Sequence, residues 1–253
     1  MFRFWRRQYP LRPILKLRKI SSKWRRFWSS YHRYADLLAP QSPPPLELLF
    51  PCVDDNTTNT EIEPIYFYQD AWAFEHIVST RPAFHVDIGS HHKFVSLLSK
   101  VIPLTMVDIR PLSLQLDTLA FRQGSILALP FEDGAVPSVS SLCVVEHIGL
   151  GRYGDPLNPK GTEEAIAELK RILMPGGVLY LSVPLDDTNR TYFNAHRAFT
   201  ESYLFQQFCP FEVVERRYIY GKTFIESPQT GFGVGCYMLR RRGRCVDNSW
   251  VSS

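Results

Sequence analysis

The chain has 253 residues, 45% of them hydrophobic and 13% aromatic, enough to bury a substantial core and to exclude global disorder. Its net charge of +4 conceals a divide: residues 1–35 hold 11 of the 29 Lys and Arg and no acid, leaving 18 basic and 25 acidic groups for the other 218 residues. Five scattered cysteines without a CxxC pair argue against a zinc site or a disulfide framework and suit a reducing, cytoplasmic compartment, and no apolar run approaches the ~20 residues of a membrane span.

In chain order, residues 1–38 read as a basic, amphipathic extension in which Arg and Lys alternate with Phe, Trp, Leu and Ile. Pro10 and Pro13 prevent one continuous helix, and a helix is expected from about 14 to 37. Aromatic anchors beside cations suit an anionic membrane surface, contacted through residues 1–35. The same composition also fits a mitochondrial transit peptide, a nucleic-acid contact, or a tail packed on its own domain. The acidic body disfavours a nucleic-acid partner. A secretory signal is not expected, because no apolar core of ~7–15 residues follows the first charges. Residues 39–60, dense in Pro, Asn and Thr, form a linker; 61–242 is the globular domain, and 243–253 is a tail.

Within the domain, 66–77 is expected to be a helix, and 83–89, 103–109, 138–148 and 178–184 are apolar strands. Helices are expected after residue 90, over "SLQLDTLAF" (113–121) and over 161–174, where Pro175, Gly176 and Gly177 stop the last of them. After residue 200, "FEVVERRYIYG" and "GVGCYMLRRR" read as a neighbouring antiparallel pair. The alternation gives an α/β class with a Rossmann-like, doubly wound, mostly parallel sheet, whose ligand lies beyond the carboxyl ends of the strands. Two strand-end features stand there. The first is the turn at Asp87 and Gly89. The second, 19 residues after the glycine, is Asp108, placed as in nucleoside-binding folds where an acid accepts hydrogen bonds from ribose hydroxyls.

"GSILALPFEDGAVPSVSSLCVVEHI" followed by "EEAIAELKRILMPGGVLYLSVP" resembles the class I S-adenosylmethionine-dependent methyltransferase superfamily, with the likeness spanning about 83–185. "VEHIGLGRYGDP" and "FNAHR" resemble a narrower, uncharacterised methyltransferase-like subgroup. The resemblance implies S-adenosylmethionine as cofactor. Its amino-acid end would be held at Asp87, Gly89, Ser90 and His91, its ribose at Asp108, and its adenine between Ile109, Ser125 and Ile126. Val145 and Glu146 would form the lip. His91 and Lys93 replace glycines of the usual turn, and their charge could meet the methionine carboxylate.

The sulfonium methyl needs no further activation, so the protein must align an acceptor and, for an oxygen acceptor, supply a base. His147 and His196 are the candidates for that base. Arg152 and Tyr153 on a Gly-rich loop, Asn194 and Arg197 beside His196, and Tyr68, Gln69 and Trp72 on the helix before the first strand are the candidate substrate contacts. The expected function is methyl transfer to a hydroxyl of a small molecule or glycan. The alternative is a non-catalytic methyltransferase-like binding protein that has lost its cofactor, which side chains of the His91/Lys93 turn filling the pocket would favour. A nicotinamide-dependent oxidoreductase fares worse, because the missing glycines are those a pyrophosphate requires.

Overall fold

The computed structural model describes residues 13–242, with side chains from residue 21 onward. The first part of the basic stretch and the tail from 243 lie outside the described residues. The chain divides into two units, Met1–Glu61 and Ile62–Ser253.

In the first unit, helix α1 (Pro13–Leu38) starts on a proline, tolerated where the first turn has no intrahelical use for its missing N–H. Residues 40–54 then run back along the helix. Tyr31 donates its hydroxyl proton to the Pro44 carbonyl (2.8 Å), Arg26 donates to the Val53 carbonyl (3.2 Å), and Lys23 pairs with Asp54. No described helix is long and apolar enough to cross a membrane.

The second unit opens with α2 (Pro64–Thr80), capped by Glu63, whose carboxylate accepts the Tyr66 N–H at 2.8 Å. Strand β1 (His85–Ile88), helix α3 (His92–Leu98), and strands β2 (Leu104–Asp108), β3 (Leu119–Gln123) and β4 (Val136–Leu142) follow. Next come α4 (Gly161–Ile172), β5 (Leu173–Leu185), a hairpin of β6 (Arg190–Tyr192) and β7 (His196–Ala198), and α5 (Glu201–Gln207). The unit closes with β8 (Glu212–Tyr220), β9 (Thr223–Ile225) and β10 (Gly233–Arg240). Eight of the strands form one sheet in the order β3-β2-β1-β4-β5-β10-β8-β9. The first five are parallel, and β10 pairs antiparallel with both β5 and β8. The expected Rossmann-like sheet and its antiparallel strand pair are present. Strand order reverses between β1 and β4, the position at which doubly wound sheets bind ligands.

Alternation divides the core. Val86, Ile88, Val139, Leu179 and Leu181 face α4, which returns Ala165, Ile166, Leu169 and Ile172 at helical spacing. The other face packs under α2 and α3 through Trp72, Ala73, Ile77, Phe94, Val95 and Leu98.

The helix expected at 113–121 is absent. Residues 110–118 form an irregular crossover, and Leu119–Gln123 is β3, paired in register with β2. Leu112, Leu114 and Leu116 recur every two residues, so they make no helical face, and Leu114 is left 82% exposed. The strand expected over 138–148 ends at Leu142. Cys143 takes φ 54°, and Val145–His147 coils into a single 3-10 turn.

Candidate active site

A buried polar seam supports the site from beneath. Parallel pairing sets Asp87 opposite Ser140, so alternate residues of β1 and β4 share a face. Asp87 is fully buried; one carboxylate oxygen accepts the Ser90 N–H (3.0 Å) and the other accepts the Ser140 hydroxyl (2.5 Å). The same hydroxyl lies 2.8 Å from His85 Nε2, and Ser138 lies 2.7 Å from His85 Nδ1. Burial pushes the Asp87 carboxyl up to about 6 and His85 down to about 3. The Ser90 hydroxyl in turn accepts the Leu142 N–H (3.1 Å). Asp87 and Ser90 therefore brace the turn between β1 and α3, and neither lines the cavity described next.

That turn presents Gly89, with φ +67°. A Cβ there would lie 3.2 Å from Val144 and 3.9 Å from Asp108 Oδ2, so only glycine leaves the space open. Gly89 is one wall of a cavity of about 240 Å3 at the carboxyl ends of β1, β2 and β4. Asp108 and Ile109 line it from β2, Ser125 and Ile126 from the loop after β3, and His147 and Tyr153 from beyond β4. Asp108 Oδ1 accepts the Arg110 N–H at 2.8 Å, and its other oxygen is the one near Gly89. The Arg110 guanidinium lies 4.3 Å over the Tyr153 ring and that of Arg152 lies 5.0 Å from it.

His147 is held by backbone. Its Nδ1 lies 2.7 Å from the Ala195 carbonyl, which can only accept, so Nδ1 carries the proton and Nε2 the lone pair. Arg152 donates to the same carbonyl at 2.9 Å; its 3.3 Å approach to His147 Nδ1 is two donors sharing one acceptor. Burial, then the Arg152 charge, pushes His147 down to about 4. Glu146, with 1% of its surface exposed, is pushed up to about 8 by burial. Its Oε1 lies 3.6 Å from His147 Nε2, and its Oε2 has no hydrogen-bond partner among the described residues.

Several expected contacts lie elsewhere. Val145 and Glu146 are buried behind the wall and do not form the lip. The His91 ring turns onto Tyr66 (5.0 Å) and His92 (4.3 Å), and neither it nor Lys93 lines the cavity. α2 directs its candidates into the sheet face, not over the cavity. Gln69 is fully buried and accepts from Ser182 (2.7 Å) and Cys143 (3.2 Å); Trp72 donates to Glu215 (3.3 Å); Tyr68 stacks on Phe224 and donates to the Lys222 carbonyl (3.0 Å). His196 packs between Tyr192 (5.0 Å) and Phe232 (5.7 Å), away from the cavity, and Asn194 is exposed in the hairpin turn. Arg197 is a strut for the loop after β4: it donates to the carbonyls of Ile148 (2.6 Å) and Asn158 (3.2 Å) and to the Thr162 hydroxyl (3.0 Å). "FNAHR" thus serves the cavity chiefly through the Ala195 carbonyl. Among the cavity residues that escaped the sequence reading are Arg110 and Cys143. Arg110 was signalled only by standing two places after the strand-end acid. Cys143 carried no signal, since its place depends on where β4 stops.

Residues 133–223 match a family described as Caenorhabditis protein of unknown function, DUF268. The match takes in His147 and the β6–β7 hairpin but neither Gly89 nor Asp108. No curated protein sequence matches the chain. Among solved structures, the Burkholderia thailandensis 1,6-didemethyltoxoflavin-N1-methyltransferase, with bound 1,6-didemethyltoxoflavin and S-adenosylhomocysteine, is 18% identical; the alignment covers 92% of each chain at a TM-score of 0.55. The N-methyltransferase NodS from Bradyrhizobium japonicum WM9, in complex with S-adenosylhomocysteine, is 16% identical over 74% of this chain and 93% of that one, at 0.54. The cyclase SpnF is 13% identical over 69% and 82%, at 0.50, so the shared architecture does not by itself fix the reaction. The chain shares the Rossmann-like fold of these two S-adenosylhomocysteine-bound methyltransferases.

Proposed function

We propose that the chain is an S-adenosylmethionine-dependent methyltransferase acting on a hydroxyl of a small molecule or glycan. One observation carries the reading: Gly89, Asp108, Ile109, Ser125 and Ile126 converge on one cavity, with a neutral histidine in its opposite wall. The residues fit the cofactor. Asp108 keeps a carboxylate oxygen toward the cavity for ribose hydroxyls, Ile109 and Ile126 give apolar walls for an adenine, and the Gly89 backbone is open to close approach. Bound there, the cofactor supplies a methyl group already activated for in-line displacement. The non-catalytic alternative is weakened because neither His91 nor Lys93 fills the cavity.

The chain's own contribution is to exclude water and take a proton at His147 Nε2, the nitrogen that the Ala195 carbonyl leaves unprotonated. A histidine held near 4 is already neutral across the physiological range. The rate of methyl transfer is therefore expected to be flat from about pH 6 upward and to fall only as the pH drops through about 4. If Glu146 were the base, the rate would instead climb through about pH 8, where its carboxyl ionises. The test is transfer of labelled methyl from S-adenosylmethionine to a panel of phenols, alcohols and glycosides, followed across pH with His147→Ala alongside. Transfer that survives in the variant, or transfer only to amines, refutes the hydroxyl reading with His147 as its base.

A further inference from the structure

Residues 13–61 form a structure whose exposed side chains the methyl-transfer reading does not use. Along α1, Trp24, Phe27, Trp28, Tyr31, Tyr34 and Leu38 recur at intervals of one, three and four residues, the stripe of an amphipathic helix. The returning segment takes one flank of that stripe. Phe27, Tyr31 and Leu38 are half-buried, and Tyr31 is fastened to Pro44. Trp24, Trp28 and Tyr34 stay 40–53% exposed. The returning segment adds Leu46, Leu48 and Phe50, 65–87% exposed, between its attachments at Tyr31 and Arg26. Apolar groups of this size do not stay in water without reason when they stand together.

Charge selects the occupant. Residues 1–35 hold eleven cations and no acid. Lys23 and Arg26 are engaged by the returning segment, whereas Arg25 and Arg33 are exposed and make no ion pair among the described residues. A second copy of the chain, docked helix to helix, would need the seam through Phe27 and Tyr31 that the returning segment already uses. It would also bring two strongly cationic helices together. Trp and Tyr beside Arg, with long apolar side chains next to them, match instead the headgroup layer of an anionic bilayer, where the rings sit at the interface and the cations meet lipid phosphates.

We propose that α1 and the segment 40–54 dock on an anionic membrane surface, with Trp24, Trp28, Leu46, Leu48 and Phe50 entering the interface and Arg25 and Arg33 facing acidic headgroups. These residues lie on the bilayer, and no described helix is long and apolar enough to cross it. None of them lines the cavity at the carboxyl ends of the strands.

The test uses the full chain in sedimentation with vesicles of phosphatidylcholine alone or mixed with phosphatidylserine. Binding to the mixed vesicles is expected, weak binding to the neutral ones, and release as ionic strength rises. Arg25→Glu with Arg33→Glu is expected to lower the partition coefficient about 30-fold or more. Trp24→Ala with Trp28→Ala is expected to lower it about tenfold, with unchanged thermal unfolding as the check that each variant is folded. Absence of binding by folded wild-type chain overturns the proposal, as does equal binding to neutral vesicles. Concentration-dependent self-association lost in the tryptophan variant, without vesicle binding, overturns it in favour of a second copy.

Discussion

Ser140→Ala is expected to lower the unfolding free energy by about 2–4 kcal/mol, because one hydroxyl satisfies two groups that have no access to water. The Ser140 hydroxyl has a single proton, and it goes to the Asp87 carboxylate. Towards His85 Nε2 the oxygen can then only accept, so His85 is the Nε2–H tautomer and its Nδ1 accepts from Ser138. Removing the hydroxyl strands an Asp87 oxygen and the His85 N–H together, both in residues with no exposed surface. For a domain of this size the loss corresponds to a fall of roughly 5–15 °C in Tm. The neighbouring residue supplies the control. Ser141 is as deeply buried, but its hydroxyl has no hydrogen-bond partner among the described residues, so Ser141→Ala is expected to be neutral or slightly stabilising. Adjacent substitutions of identical chemistry thus differ in expected outcome, and equal unfolding temperatures for the two variants would refute the seam as described. Its two ionisable groups also oppose one another with pH. His85, depressed to about 3, contributes stability that is present above its unfolded value of 6.5 and lost as the pH falls from there. Asp87, raised to about 6, contributes stability that is present below 3.8 and lost as the pH rises through about 6.

The second large effect concerns binding. Asp108→Ala is expected to weaken S-adenosylhomocysteine about 100-fold, or about 3 kcal/mol, by removing charge-assisted hydrogen bonds to the ribose. Stability should change by under about 1 kcal/mol, since the side chain stands at a strand end, accepts the Arg110 backbone N–H, and forms only a long ion pair (3.6 Å) with the largely exposed Arg110 guanidinium. Calorimetric titration of both proteins separates the outcomes. Binding lost in the variant supports the cofactor cavity and justifies the search for an acceptor. Equal binding in both would move the ribose elsewhere. A folded wild-type chain that binds nothing would favour the non-catalytic reading.

The sequence revealed what backbone geometry alone dictates. Gly89 and Asp108 were legible because each closes an apolar strand, and in a doubly wound sheet strand ends converge. The sheet, the antiparallel pair and α4 were legible from periodicity. The orientation of α2 was not, because a helix of mixed composition can turn either Trp72 or its other face inward, and the choice is made by Glu215 and Tyr180, far away in sequence. The hydrogen bonding of Asp87 was not legible for a related reason. Its partner is a serine 53 residues away, brought alongside only by strand register. The crossover at 110–118 failed differently, with leucines enough for a helix but at the wrong spacing.

The orientation of His147 depends on an oxygen that belongs to the main chain at Ala195, not to any side chain. Every residue type offers the same carbonyl, so substitutions at 195 that keep the hairpin leave the imidazole aimed as before. The side chain at 195 is thus less constrained than its position, provided the backbone N–H that donates to the Tyr192 carbonyl is kept. A single-residue insertion or deletion between Tyr192 and His196 would shift the carbonyl and release both His147 and Arg152. The length of that turn, more than its composition, is what selection on this site would preserve.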